Sequence, residues 1–208
     1  MLELLLIRHG QTDWNVQKKI MGSQAIPLNE TGRLQAQNLA IYLKDHPLDG
    51  IYTSPHLRAV ETSEILSIGR GVEVIQNDAL REIEHGQWVG KTFTEIRALP
   101  DYIPYYQDPH RLMGMDGESL EHVRTRASTF IESLRQEKQT GRYALVSHAD
   151  WVKCALLHYL KLPLTQLAQF RIDNASISYL HLGEGIERII CINQGPEADR
   201  LLGQKEFL

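Results

Sequence analysis

The chain has 208 residues, a formal net charge of −4, 42% hydrophobic and 23% charged residues, and two cysteines. That length suits one domain, residues 1–208, with a sizeable core, while the charge argues against a nucleic-acid partner and no apolar run has the length of a membrane span. The N-terminal apolar run lacks the basic start and cleavage site of a signal peptide, and Cys154 and Cys191 form no CxxC pair, so the expected location is cytoplasmic, with reduced core thiols.

In chain order, Leu4 to Ile7 is a short continuous apolar run, the pattern of a strand covered on both faces. Lys18-Lys19, the longest basic run, reads as a solvated loop. After the turn residues Asn29 to Gly32, the positions Ala36, Leu39, Ala40 and Leu43 share one helical face. "DGIYTSP" (49–55) reads as a second strand, 58–68 as a helix and "VEVIQ" (72–76) as a third strand. Residues 100–118 hold three prolines and little periodicity, and with the preceding stretch they read as a lid over a site. That segment is rich in Trp88, Tyr102, Tyr105, Tyr106, Met113 and Met115, a composition that serves ordinary lid packing as well as an apolar substrate pocket.

Ser119 is the expected N-cap of a long helix whose apolar stripe is Leu120, Val123, Ala127, Phe130, Ile131 and Leu134. "YALVS" (143–147) is another buried strand, "WVKCALLHYL" a buried helix ended by Pro163, and "ISYLHL" with "ERIICI" a hairpin around a glycine-containing turn. Strand alternating with helix implies an α/β three-layer sandwich. Its central sheet is mostly parallel with one antiparallel edge strand, helices cover both faces, and a lid insertion lies near 86–118. The hairpin edge offers a surface for a homodimer.

Three of these strands end alike: Ile7 leads to Arg8-His9, Thr53-Ser54-Pro55 to Arg58, and Val146-Ser147 to His148. In open α/β sheets the ligand crevice lies beyond the carboxyl ends of the strands, so these residues can converge there. Together they ask for an anion. Two guanidinium forks bind phosphate oxygens, and two histidines can stand one neutral and one protonated near neutral pH. The combination suits phosphoryl transfer to nitrogen: neutral His9 attacks phosphorus while protonated His148, Arg8 and Arg58 hold the equatorial oxygens. The leaving alkoxide needs a proton and the later water needs a base, roles that one carboxylate can fill in turn. Glu82 in "LREIEHGQWVG" is the best candidate, and Glu84 competes with it.

The blocks that carry these residues resemble those of the histidine phosphatases, the phosphoglycerate mutase-like superfamily. "LIRHGQTDWN" is similar to the signature RHGxTxxN, "YTSPHLRAVETSEIL" to SPxxRAxxTAxxL and "LREIEHGQWVGKT" to LxExxxGxWEG. "DGESLEHVRTRA" resembles the GES-helix and "ALVSHADWVKCAL" the second histidine segment, all in family order over residues 3–182. The resemblance implies that His9 is the phosphorylated nucleophile and that Arg8, Arg58 and His148 complete the phosphate pocket. Asn15 and the backbone near Met21-Gly22 would help, and Glu82, at the LxE position, would be the proton donor and acceptor. Ala149 stands where many members carry glycine, which implies altered substrate shape with retained chemistry, and Gln11 replaces a common glutamate.

Cofactor-dependent mutases of the family carry an insertion with a paired arginine for a bisphosphate. Residues 86–118 contain only Lys91, Arg97 and Arg111, so hydrolysis of a small-molecule phosphate monoester, with no cofactor and no metal, is the expected activity. A zinc site drawn from His9, Glu82 and His148 would face repulsion from two arginines. A non-catalytic phospho-ligand binding module would have no use for the full catalytic set.

Overall fold

A computed structural model describes residues 1–100, 102–104, 107–183, 185 and 187–196. One six-stranded sheet runs in the order β3-β2-β4-β1-β5-β6. The strands are β1 (Leu2–Arg8), β2 (Gly50–Thr53), β3 (Val74–Gln76), β4 (Gly141–Ser147), β5 (Ile177–Leu182) and β6 (Glu187–Gln194). The first four are mutually parallel, whereas β5 runs antiparallel both to β1 and to β6. The hairpin therefore supplies the antiparallel edge, with β6 outermost.

The apolar run of β1 is continuous because the strand feeds two cores. Leu2, Leu4 and Leu6 pack under helices α5 (Leu120–Lys138) and α6 (Ala149–Tyr159). Leu5 and Ile7 point the other way, toward α2 (Glu30–Tyr42) and α3 (Leu57–Ser67). Each of these side chains is almost wholly buried, at about 2 kcal/mol apiece, which ties the strand down on both faces before any polar group at its end is considered.

Local signals account for the helix ends. Asn29 Oδ1 accepts from the Gly32 N–H at the start of α2, and Ser119 Oγ accepts from the His122 N–H at the start of α5. Helix α6 stops before Pro163: Lys161 turns left-handed at φ +57°, and the Leu162 N–H returns to the Leu157 carbonyl. Within the insertion, α4 (Phe93–Arg97) carries a Thr92/Glu95 capping box. Met113 belongs to the core beside α5 and α6, and Tyr105 and Tyr106 lie outside the described residues. Both cysteines are free thiols, Cys154 buried and Cys191 half-buried. Among the described residues no helix is long and apolar enough to cross a membrane.

The parallel strands β1, β2 and β4 end at one edge of the sheet, at Arg8, Thr53 and Ser147. Because β5 is antiparallel, it begins at that same edge, with Ile177 opposite Ile7.

Candidate active site

That edge opens into a cavity of about 380 Å³. Arg8, His9, Arg58 and Glu82 form its inner wall, Asn15, Met21 and Gly22 one side, and Ala149 and Asp150 the other. His148 lies behind this wall, fully buried, its ring centre 5.2 Å from that of His9 in an edge-on arrangement.

Close backbone approach sets His9 in place. Its N–H donates to the Ser147 carbonyl (3.0 Å), and the following Gly10 N–H donates to Thr62 Oγ1 (3.1 Å). A Cβ on Gly10 would sit 2.5 Å from the Gly32 carbonyl oxygen, and one on Gly32 only 2.0 Å from the Gln11 oxygen. Two glycines therefore let α2 press directly on the turn after β1. The His9 ring donates from Nδ1 to the Gly10 carbonyl (2.7 Å), which fixes the tautomer and leaves Nε2 with its lone pair. Burial, then Arg58 and Arg8, hold the His9 pKa well below 6.5; the ring is a neutral base at pH 7.

Arg58 is 1% exposed. One of its terminal nitrogens donates to the Gly22 carbonyl (3.0 Å) and the other to that of Gln24 (3.3 Å). Burial depresses its pKa to about 10, so it remains a cation. Arg8 donates to the Ile172 carbonyl at 2.7 Å. At His148, Nε2 shares a 2.8 Å hydrogen bond with the Ser54 hydroxyl, which also accepts from the His56 N–H (3.3 Å), while Nδ1 has no protein partner. Burial, Arg58 and His9 keep the His148 pKa well below 6.5. Protonated His148 is thus not its resting form, and a charge there has to arrive together with an anion.

Unpaired buried polar atoms concentrate here. Among the described residues seven side-chain nitrogens are buried without a partner, and five belong to Arg8, His56, Arg58, His85 and His148. Buried groups are almost always satisfied, so a cluster of unmatched nitrogens around two guanidinium groups describes a receptor for oxygen atoms of an anion.

The loop 79–84 delivers the carboxyl group. Ser147 Oγ donates to the Leu80 carbonyl, Trp151 Nε1 to that of Ala79, and Arg126 to those of Ala79 and Glu82. Glu118 holds the Arg126 guanidinium at 2.8 Å, and its N–H donates to the Glu84 carbonyl. Leu80 and Ile83 are fully buried; this directs Glu82, and not Glu84, to the cavity wall. Burial and the neighbouring Asp150 raise the Glu82 pKa to about 7, against the Ile83 N–H, Arg58 and Arg8. A carboxyl group poised near neutrality can give and take a proton with little driving force in either direction.

The expected pocket residues thus converge, and others join them. Asn174 Nδ2 donates to the His9 carbonyl (3.0 Å) and to Asn15 Oδ1 (3.3 Å). Asn15 Oδ1 also accepts from the Thr12 N–H at the cap of α1 (Asp13–Val16), which leaves the Asn15 NH2 as its donor end. Ala149 opens α6 without a left-handed backbone, so a methyl is tolerated where glycine is common. Gln11 is held by Asn29 at 3.1 Å. Lys18 and Lys19, read as a solvated loop, also line the cavity, and among the described residues of the insertion only Phe93 reaches it. Among the described residues no three His, Cys, Asp or Glu side chains are grouped to hold a metal ion.

The sequence profile of the histidine phosphatase superfamily (branch 1) matches residues 4–195. The chain belongs to that superfamily. Phosphoserine phosphatase 1 of Hydrogenobacter thermophilus is 32% identical over 195 residues, which cover 93% of this chain and 92% of that protein. A probable phosphoglycerate mutase of Escherichia coli is 29% identical over 194 residues, 89% and 87% of the two chains. Among solved structures, the phosphoserine phosphatase of Entamoeba histolytica in complex with 3-phosphoglyceric acid superposes with a TM-score of 0.87 at 28% identity, covering 94% and 98%.

Proposed function

We propose that this histidine phosphatase hydrolyses small-molecule phosphate monoesters through a covalent phosphohistidine on His9, without a metal ion. The observation that carries the reading is the His9 tautomer: Nδ1 is spent on the Gly10 carbonyl, and Nε2 is a free lone pair beside a cluster of cationic donors. Arg8, Arg58, the Asn15 amide and the 21–22 backbone hold the phosphoryl oxygens, and His148 gains its proton as the dianion settles. His9 Nε2 forms the N–P bond as the ester P–O bond breaks, and protonated Glu82 delivers its proton to the departing alkoxide. The resulting Glu82 carboxylate then takes a proton from water, the water oxygen attacks phosphorus, the N–P bond breaks, and phosphate leaves with both groups restored.

Hydrolysis is favoured over mutase chemistry by the cavity lining. Lys91, Arg97 and Arg111 of the insertion are not part of it, so the insertion brings no cationic pair to hold a bisphosphate. The relatives include a phosphoserine phosphatase and a probable mutase, and the charge on the insertion supports the hydrolytic reading. Incubation with a 32P-labelled monoester tests the scheme. Wild type is expected to carry acid-labile label and release phosphate, and His9→Ala to do neither. Unchanged turnover in His9→Ala, or loss of wild-type activity on chelation with recovery on adding zinc, would overturn it.

A further inference from the structure

Helix α3 begins on a residue that does not cap it. His56 holds the N-cap position and its side chain makes no capping bond, where Ser, Thr, Asn or Asp would satisfy a free N–H of the first turn. The ring is buried instead, and its Nδ1 lies 3.2 Å from Arg58 Nη2. A guanidinium can only donate, so Nδ1 is the acceptor, the ring is neutral and its hydrogen sits on Nε2. That nitrogen is buried without a protein partner. At this position the chain forgoes a helix cap and leaves a buried donor unmatched, both unfavourable, and keeps one side-chain bond, to Arg58. Local rules are broken in this way where a residue serves a site.

The bond completes the seat of the guanidinium. Nη2 donates to the Gly22 carbonyl (3.0 Å) as well as to His56, and Nη1 donates to that of Gln24 (3.3 Å). The two carbonyls belong to a loop in which Ser23, Gln24 and Ala25 are exposed, whereas His56 is fixed at the foot of the helix that carries Arg58. Three of the five N–H groups are thereby spent inside the protein. The two that remain, the buried and unpaired Nε–H among them, are free for a ligand. On its backbone side His56 donates to Ser54 Oγ (3.3 Å), the hydroxyl bonded to His148 Nε2, and its ring centre lies 5.0 Å from that of His148. One residue therefore touches the supports of both Arg58 and His148. Burial, then Arg58, Arg81 and Arg126, lower its pKa to about 4, so the acceptor is available at pH 7.

We propose that His56 is a positioning residue, whose neutral ring orients the Arg58 guanidinium so that its two remaining N–H groups meet the phosphoryl oxygens. The inference rests on the phosphatase reading and concerns a position that the SPxxRAxxTAxxL block leaves open.

His56→Phe tests it, because it keeps a ring beside His148 and removes both the acceptor and the unmatched N–H. The variant should melt no lower than wild type. It should nevertheless lose about 10-fold in kcat/KM for p-nitrophenyl phosphate and bind inorganic phosphate, as a competitive inhibitor, about 10-fold more weakly. That is the low end for one charge-assisted hydrogen bond, since Gly22 and Gln24 still hold Arg58. In an Arg58→Ala background the same substitution should change kcat/KM by less than about 2-fold, with no guanidinium left to orient. Long-range 1H–15N spectra of wild type, assigned by comparison with His56→Phe, should show the His56 hydrogen on Nε2 and a bare Nδ1, a readout that stands whether or not the Arg58 variant folds. Four results would each overturn the positioning role and spare the phosphatase reading: a His56→Phe protein as active as wild type, one that melts lower or fails to fold, costs that add in the double variant, or a ring hydrogen on Nδ1. No turnover of p-nitrophenyl phosphate by wild type would overturn both.

Discussion

Replacing Glu82 with glutamine should make the protein a worse catalyst and, above neutral pH, a more stable one. The carboxyl pKa is raised from 4.5 to about 7 in the fold. Between those values the folded chain holds a proton that the unfolded chain has lost, so stability falls as pH rises through this window, and the loss is complete above pH 7. The shift corresponds to about 3 kcal/mol. The carboxyl group lines an open cavity, and allowing half for water leaves about 1.5 kcal/mol, or roughly 3–6 °C in Tm for a chain of this size. Thermal unfolding followed by circular dichroism at pH 4 and pH 8.5 should show equal midpoints in the first buffer and a higher one for Glu82→Gln in the second. In the same protein, alkyl phosphate turnover should drop about 10²–10⁴-fold for want of the acid. p-Nitrophenyl phosphate, whose leaving group needs no proton, should give a burst of nitrophenolate and then a slow steady state as phosphoenzyme accumulates. A variant no more stable than wild type at pH 8.5, or offset equally at both pH values, would refute the electrostatic argument.

Arg58→Lys keeps the charge but cannot span the Gly22 and Gln24 carbonyls together with a phosphoryl oxygen, so kcat/KM should fall at least 10–100-fold, as initial rates at low substrate would show. Asp150→Asn removes a charge that raises the Glu82 pKa and releases Lys153 from its ion pair; the alkaline limb of the kcat/KM profile should move to lower pH, and a limb that stays or rises would contradict this. Gly32→Ala would force a methyl within 2.0 Å of the Gln11 carbonyl; despite the better helix propensity of alanine, urea unfolding should show a loss of about 2 kcal/mol or more, with kcat reduced because the turn carrying His9 is displaced.

Where a residue's position follows from strand order, it is legible in the sequence. Continuous apolar runs announce buried parallel strands, and the carboxyl ends of those strands place Arg8, Arg58, His9 and His148 at one crevice. The Glu82 and Glu84 alternatives were not separable locally, since the choice depends on Ile83 entering the core and on Arg126, from a distant helix, gripping the loop. Asn174 was missed, although a signal existed: a strand antiparallel to β1 must begin where β1 ends, so the polar residues just before "ISYLHL" belong at the crevice. The placement of Lys18 and Lys19 had no local signal. It comes from bridging between residues 18–20 and 90–93, a contact that joins a loop to an insertion with no periodicity to reveal it. The charge state of His148 was likewise invisible, because it depends on burial beside Arg58 and His9.

The sheet order also sets a timetable. Leu2 pairs with Gly141 on one side and with Leu182 on the other, so β1 has both of its neighbours well over a hundred residues further along the chain. At roughly 5–20 residues per second, "LLLI" waits on the order of ten seconds for its first partner, a stretch of strand-forming apolar residues with both edges open. His9 is thus made long before the strands that seat it, and chains truncated or stalled ahead of β5 should be inactive and prone to aggregate even when every side chain of the proposed mechanism through His148 has been synthesised.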